Sequence, residues 1–96
     1  MVPVILSTPI FDRVAKKLHP KEKKALDDAV KLIAADPLVG EEKKGDLAGT
    51  FVFKFKANKQ QLLLAYQLRP DKINPTELVL ISCGSHENFY RNLKGK

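Results

Sequence analysis

The residues of this sequence best suited to chemistry stand near its C-terminal end, in the stretch Gly84-Ser85-His86-Glu87-Asn88-Phe89-Tyr90. A histidine with an ordinary pKa of about 6.5 gives or takes a proton at neutral pH, which suits it to general acid or base work. Ser85 is a good N-cap for a short final helix running to about Leu93, whose first N–H groups favour an anion. On such a helix His86 and Tyr90 are four residues apart and share a face, while Phe89 and Leu93 share another. Phe89 and Leu93 are thus expected to pack inward, leaving His86 and Tyr90 together toward the sheet or solvent. A capping or merely exposed histidine fits the same position, and the spacing does not choose between the two.

Phosphate chemistry also needs fixed positive charge near the developing negative oxygens. The candidates are Lys43, Lys44, Lys54, Lys56, Lys59, Arg69 and Arg91. Lys54 and Lys56, on one face of a strand, and Arg91, beside Tyr90, could converge with His86. Taken singly, each lysine reads equally as a solvated or edge-protecting charge. A second basic cluster, Lys16-Lys17 and the run Lys21 to Lys24, falls at a helix corner, where it is solvated or touches nucleic-acid backbone. The formal net charge of +6 and a pI near 9.6 favour an anionic partner: RNA, DNA, an acidic protein or an anionic membrane face.

Other chemistries lack their residues. There is no phosphate-cradling glycine loop, no His/Cys metal spacing and no Ser-His-Asp pattern, so no metal or cofactor is expected. Glu41-Glu42 is followed at once by Lys43-Lys44, which gives a paired-carboxylate mechanism little support. Cys83 is the single cysteine; it cannot form an internal disulfide and reads as a small buried hydrophobe within an apolar strand. No apolar run approaches the ~20 residues that span a bilayer. Met1 to Ser7 lacks the charged start of a signal peptide and reads as a first strand, so a cytoplasmic protein is expected.

The elements that must carry these residues follow from punctuation and period. At 96 residues a single domain, 1–96, is expected. Val2 to Leu6 is a β-type run. Thr8-Pro9 then supplies a cap and a first-turn proline for a helix bearing Ile10, Val14 and Leu18, with Phe11 and Ala15 beside them. His19-Pro20 breaks that helix, with His19 as a local cap, and opens a second with Leu26, Ala29, Val30 and Ile33 on one face. Asp36-Pro37 stops it, because the residue before proline avoids the helical region. Val39 to Gly49 reads as a loop or irregular strand.

The period then becomes two. Phe51, Phe53, Phe55 and Ala57 point one way, and Thr50, Val52, Lys54 and Lys56 the other. A turn at Asn58-Lys59 leads to a strand from Gln61 to Arg69, with Leu62, Leu64, Tyr66 and Leu68 toward the core. Glu77 to Cys83 makes the last strand. The predicted class is α/β in the α+β sense: a small, mostly antiparallel sheet, two N-terminal helices on one face, and a short C-terminal helix. The other face should stay partly open, with Lys54 and Lys56 on it.

In that order of elements, three pieces resemble the RelE/ParE superfamily of type II toxins. They are Lys44-Gly45-Asp46-Leu47-Ala48-Gly49 before a strand, the Leu62-Leu63-Leu64-Ala65-Tyr66 strand, and Gly84 to Lys94 at the end. The likeness spans nearly the whole chain and is nearest to the YafQ-like toxins. It implies a toxin held by a cognate antitoxin, acting on ribosome-bound mRNA as a metal-independent endoribonuclease, an mRNA interferase. In such enzymes the ribose 2′-hydroxyl attacks the adjacent phosphate, leaving a cyclic phosphate and a free 5′-hydroxyl. On this resemblance His86 matches the catalytic histidine, as acid toward the leaving oxygen or base toward the 2′ proton. Tyr90 matches the aromatic that stacks on or orients substrate. Lys54 stands where YafQ-like members have a second histidine, and lysine can stabilise the phosphorane. Lys44, Lys56, Arg91 and Asn58 would contact RNA or its phosphates; Asn58 stands where YafQ-like members have an aspartate. Leu63 stands where RelE proper has an arginine. ParE-like relatives share the fold without that catalytic set and inhibit DNA gyrase by protein binding. A toxin fold that only binds its antitoxin is the third possibility.

Overall fold

Thr8 does two jobs at the first turn of the chain. Its hydroxyl accepts the Phe11 N–H at 3.2 Å, capping helix α1 (Pro9–Lys16), and donates to the Ile81 carbonyl at 2.9 Å. The cap therefore also fastens the helix to the sheet. The computed structural model describes residues 3–45, 48–57 and 59–85. The expected C-terminal helix, with His86, Phe89, Tyr90, Arg91 and Leu93, lies outside the described residues, as do Asn58, Asp46, Leu47 and Val2.

Strand β1 (Val4–Ser7) leads into α1, and α2 (Pro20–Ala35) follows after His19. His19 holds the N-cap position, and the Glu22 carboxylate accepts its backbone N–H at 3.0 Å. A two-residue strand β2 (Glu41–Glu42) precedes β3 (Thr50–Ala57), β4 (Gln60–Arg69) and β5 (Glu77–Ser85). The sheet order is β1-β5-β4-β3-β2, with every pair antiparallel except β1 beside β5. This is the mixed α+β architecture that the residue pattern predicts.

Both helices pack on one face, α1 over β5 and α2 over β3. There Phe11, Leu26, Ala29 and Ile33 meet Phe51, Leu64, Tyr66, Leu68, Leu78, Leu80 and Cys83. The inward stripe of α1 is Phe11, with Val14, Ala15 and Leu18 packed against the core; Ile10 is 49% exposed. Its place in that stripe is thus corrected. The Thr8 tie to β5 turns Phe11 inward, and Ile10 lies about 100° around the helix from it.

Strand β5 also runs further than the apolar pattern suggests. Gly84 pairs with Leu63 and Ser85 with Leu62, because β4 offers a ladder along its whole length. Ser85 is therefore a strand residue. The register shifts between Ala65 and Tyr66, and Ile81 is the extra residue.

Candidate functional site

The parity of β3 sorts its side chains as the sequence predicts. Phe51, Phe53 and Phe55 face the helices, and Val52, Lys54 and Lys56 face away. That second face is open only in part. Val52, Leu63 and Ala65 are buried there with Ile81 against them; the exposed residues are Lys54, Lys56 and Gln61 at one end and Arg69 at the other. Lys54 pairs with Leu63 and Lys56 with Gln61 across the ladder. The two lysines stand about 7 Å apart along the strand, as next-but-one residues must. Two ammonium groups at this spacing give a local field that an extended anionic backbone can neutralise.

The row through Lys54 crosses the sheet. Lys54 opposes Leu63, which opposes Gly84 on β5, so two strand spacings, about 10 Å, separate Lys54 from Gly84. Leu63 in the middle of the row is fully buried. Strand β5 then delivers the chain through Ser85 to His86. Of the residues singled out from sequence, Lys54, Lys56 and Lys59, the last in the turn between β3 and β4, lie at this end of the sheet. Lys44 is exposed near the start of β3, where Lys43 N–H donates to the Thr50 carbonyl at 2.8 Å. From Thr50 to Lys56 is about 20 Å of strand, so Lys44 is not part of the same cluster. His86, Tyr90, Arg91 and Asn58 lie outside the described residues. Gln61, exposed opposite Lys56, joins the polar end of the face; strand alternation alone could have found it.

Two buried groups nearby have structural roles. The Tyr66 hydroxyl donates to the Pro37 carbonyl at 2.8 Å and accepts the Gly40 N–H at 2.9 Å, and its ring stacks on Phe51 at 5.4 Å. Burial pushes its pKa up, partly offset by the Gly40 N–H. This hydroxyl pins the loop that lays β2 along β3. The Cys83 thiol is pushed up to about 12, first by burial and then by the Glu22 carboxylate, so it stays protonated at neutral pH and is no nucleophile. Ser82, on the second face, has a buried hydroxyl with no hydrogen-bond partner among the described residues.

A wide groove lies elsewhere. It holds about 760 Å³ between the helices and β1, over Ile5, Phe11, Leu26, Val30 and Leu80, and includes none of the candidate residues. No helix among the described residues is long and apolar enough to cross a membrane.

Comparison with known proteins gives the family context. The model of the ParE-like toxins of type II bacterial toxin–antitoxin systems matches residues 5–94. Among solved structures, the chain is similar to one in the intact E. coli RelBE toxin–antitoxin complex (TM-score 0.69, 14% identity, covering 86% of this chain and 95% of that one). It is similar to a chain of the toxin–antitoxin complex RelBE2 from Mycobacterium tuberculosis (TM-score 0.71, 24% identity, 90% and 100% coverage). A substituted form of the E. coli toxin RelE in the free state matches with TM-score 0.72 at 16% identity, covering 92% and 87%. At these identities the structural likeness is one of fold. No curated protein matches the sequence.

Proposed function

The chain belongs to the ParE-like toxin family of type II bacterial toxin–antitoxin systems, and from that premise we propose that it cuts mRNA on the ribosome as a metal-independent endoribonuclease. The observation that carries this reading is the exposed pair Lys54 and Lys56, at the end of the sheet where β5 hands the chain on to His86. In the proposed reaction the 2′-hydroxyl loses its proton to a base and attacks the neighbouring phosphorus. The bond to the 5′-oxygen breaks, and that oxygen takes a proton from an acid, so the step conserves protons overall. His86 supplies one of these two proton transfers, Tyr90 holds the substrate base, and Lys54 neutralises the charge that grows on the phosphorane. Lys56, with Arg91, Asn58 and Lys44, contributes phosphate contacts. The partners are a cognate antitoxin and the translating ribosome.

A second reading, a gyrase inhibitor acting by protein binding, is favoured by Leu63. This side chain is buried in the row between Lys54 and Gly84, where the RelE pattern has an arginine. One experiment separates the two. The protein is added to a translating extract and mRNA ends are mapped, with DNA supercoiling by gyrase measured in parallel. Cleavage in the A site that is lost in His86→Ala and falls about 100-fold in Lys54→Ala supports the nuclease. Intact mRNA with blocked supercoiling supports the second reading and overturns the first.

A further inference from the structure

Strand β1 stands at one edge of the sheet, with β5 as its sole neighbour among the described strands. The Val4 N–H donates to the Thr76 carbonyl at 2.9 Å and the Thr8 N–H to the Leu80 carbonyl at 3.1 Å. In a parallel ladder successive residues turn their N–H and C=O to opposite sides, so those of Ile5 and Ser7 point away from the sheet. Among the described residues no strand meets them. Native proteins guard such edges with charge, above all lysine, and β1, Val4-Ile5-Leu6-Ser7, has none. Its side chains are apolar and open on both faces: Val4 is 61%, Ile5 43% and Leu6 41% exposed. We propose that this edge pairs antiparallel with the same edge of a second copy of the chain, about a two-fold axis at Leu6.

Backbone chemistry sets that register. Centred on Leu6, Ile5 exchanges both of its bonds with the second copy's Ser7, and every outward group of the two residues is paired. Centring on Ile5 sets Ser7 against Pro3, which has no N–H to give. Centring on Ser7 sets Ile5 against Pro9, already the first residue of α1. In the Leu6 register the two Leu6 side chains meet at the close, non-hydrogen-bonded position, each with Val79 beside it on β5.

Charge selects the occupant. With a formal net charge of +6, two copies repel one another over most of their surface. Strand β1 is uncharged, and the groove beside it carries Asp12 and Asp27 with Lys16, Lys23 and Lys31, close to balance. The pairing also keeps the two Lys54–Lys56 sites apart. Three strand spacings in each copy and one between them make about 34 Å along the sheet, more than three screening lengths at 0.1 M salt. An acidic segment or a nucleic acid finds no cation on β1, whereas a second copy finds the same apolar residues that it brings. The strand is short, so the interface belongs to the small, transient class, and a dissociation constant of about 10–100 μM is expected. The inference does not depend on the nuclease reading, and both copies keep Lys54 and Lys56 open.

The test is sedimentation of the intact protein from about 1 μM to 1 mM, with amide exchange at both ends of that range. Dimer should form across it. The Ile5 and Ser7 amides, fast in the dilute protein, should slow by at least about tenfold in the concentrated one, while Val4 and Leu6 are protected in both. Ser7→Pro removes only an outward N–H, which an edge strand tolerates, and should weaken the dimer by at least about tenfold at unchanged thermal unfolding. Because Leu6 lies on the axis, Leu6→Lys and Leu6→Glu should each stay monomeric alone and form a mixed dimer together. A protein that is monomeric at 1 mM overturns the proposal. So does a dimer that leaves the Ile5 and Ser7 amides fast, that Ser7→Pro leaves intact, or whose Leu6 variants fail to complement. Slowing of these two amides by a cognate antitoxin but not by a second copy assigns the edge to that partner and overturns it too.

Discussion

Replacing Tyr66 by phenylalanine removes one oxygen atom and should cost about 2 kcal/mol of stability. The ring is fully buried and stacked on Phe51, so the apolar packing survives the change. What is lost is a hydroxyl that serves two backbone groups at once, the Pro37 carbonyl and the Gly40 N–H. Each bond is worth about 1 kcal/mol net, and the half-buried partners regain water only in part, so the sum sits near the upper end for neutral hydrogen bonds. For a 96-residue chain this is about a seventh to two-fifths of the whole stability, and a Tm lower by about 8–16 °C. Urea unfolding followed by circular dichroism measures it, with a lower midpoint at unchanged slope. Amide exchange adds a local signature: the Gly40 amide should exchange faster in Tyr66→Phe, because its acceptor is gone. A loss below about 0.5 kcal/mol, or an unchanged Gly40 amide, would refute the claim that this hydroxyl fastens the loop.

Thr8→Ala should cost about 2 kcal/mol, more than an ordinary cap, because it cuts both the Phe11 N–H bond and the tie to Ile81; chemical denaturation reads it. Gly40→Ala would bring a Cβ within 2.5 Å of the Tyr66 hydroxyl, and the expected loss is about 1–3 kcal/mol. Combined with Tyr66→Phe the two losses should sum to less than their separate values, since the closest clash leaves with the oxygen; a double-mutant cycle measures this. The raised pKa of Cys83 predicts an alkaline effect. The folded thiol holds its proton up to about 12 while the unfolded one releases it near 9, so the stabilisation is complete below pH 9. It is lost between pH 9 and 12 at about 1.4 kcal/mol per unit. Tyr66 adds in the same direction above its ordinary pKa. Cys83→Ala should therefore flatten the fall of stability with pH in that window; an unchanged slope would contradict the burial argument.

Much of the fold was readable from the chain because its rules act over a few residues. Thr8-Pro9, His19-Pro20 and Asp36-Pro37 set the helix limits through backbone geometry that neighbours impose on one another. Strict alternation in β3 and β4 told which residues face the helices, and the structure keeps that assignment from Thr50 to Leu68. The toxin family was visible in the terminal glycine-serine-histidine piece and the glycine-rich loop, and the family match agrees. The lysine pair on β3 was likewise fixed by parity alone.

Partner choice between distant segments was not readable, because it is settled by packing across the whole chain. Only the tertiary structure puts β1 parallel to β5, extends β5 to Ser85 and lays β2 along just the first part of β3. Only it shows that Leu63 lies buried between Lys54 and Gly84, that the Tyr66 hydroxyl ties down the loop after α2, and that Lys44 is a strand's length from Lys56. Period and punctuation decide what each residue faces. Which strand stands beside it is decided by contacts far apart in sequence.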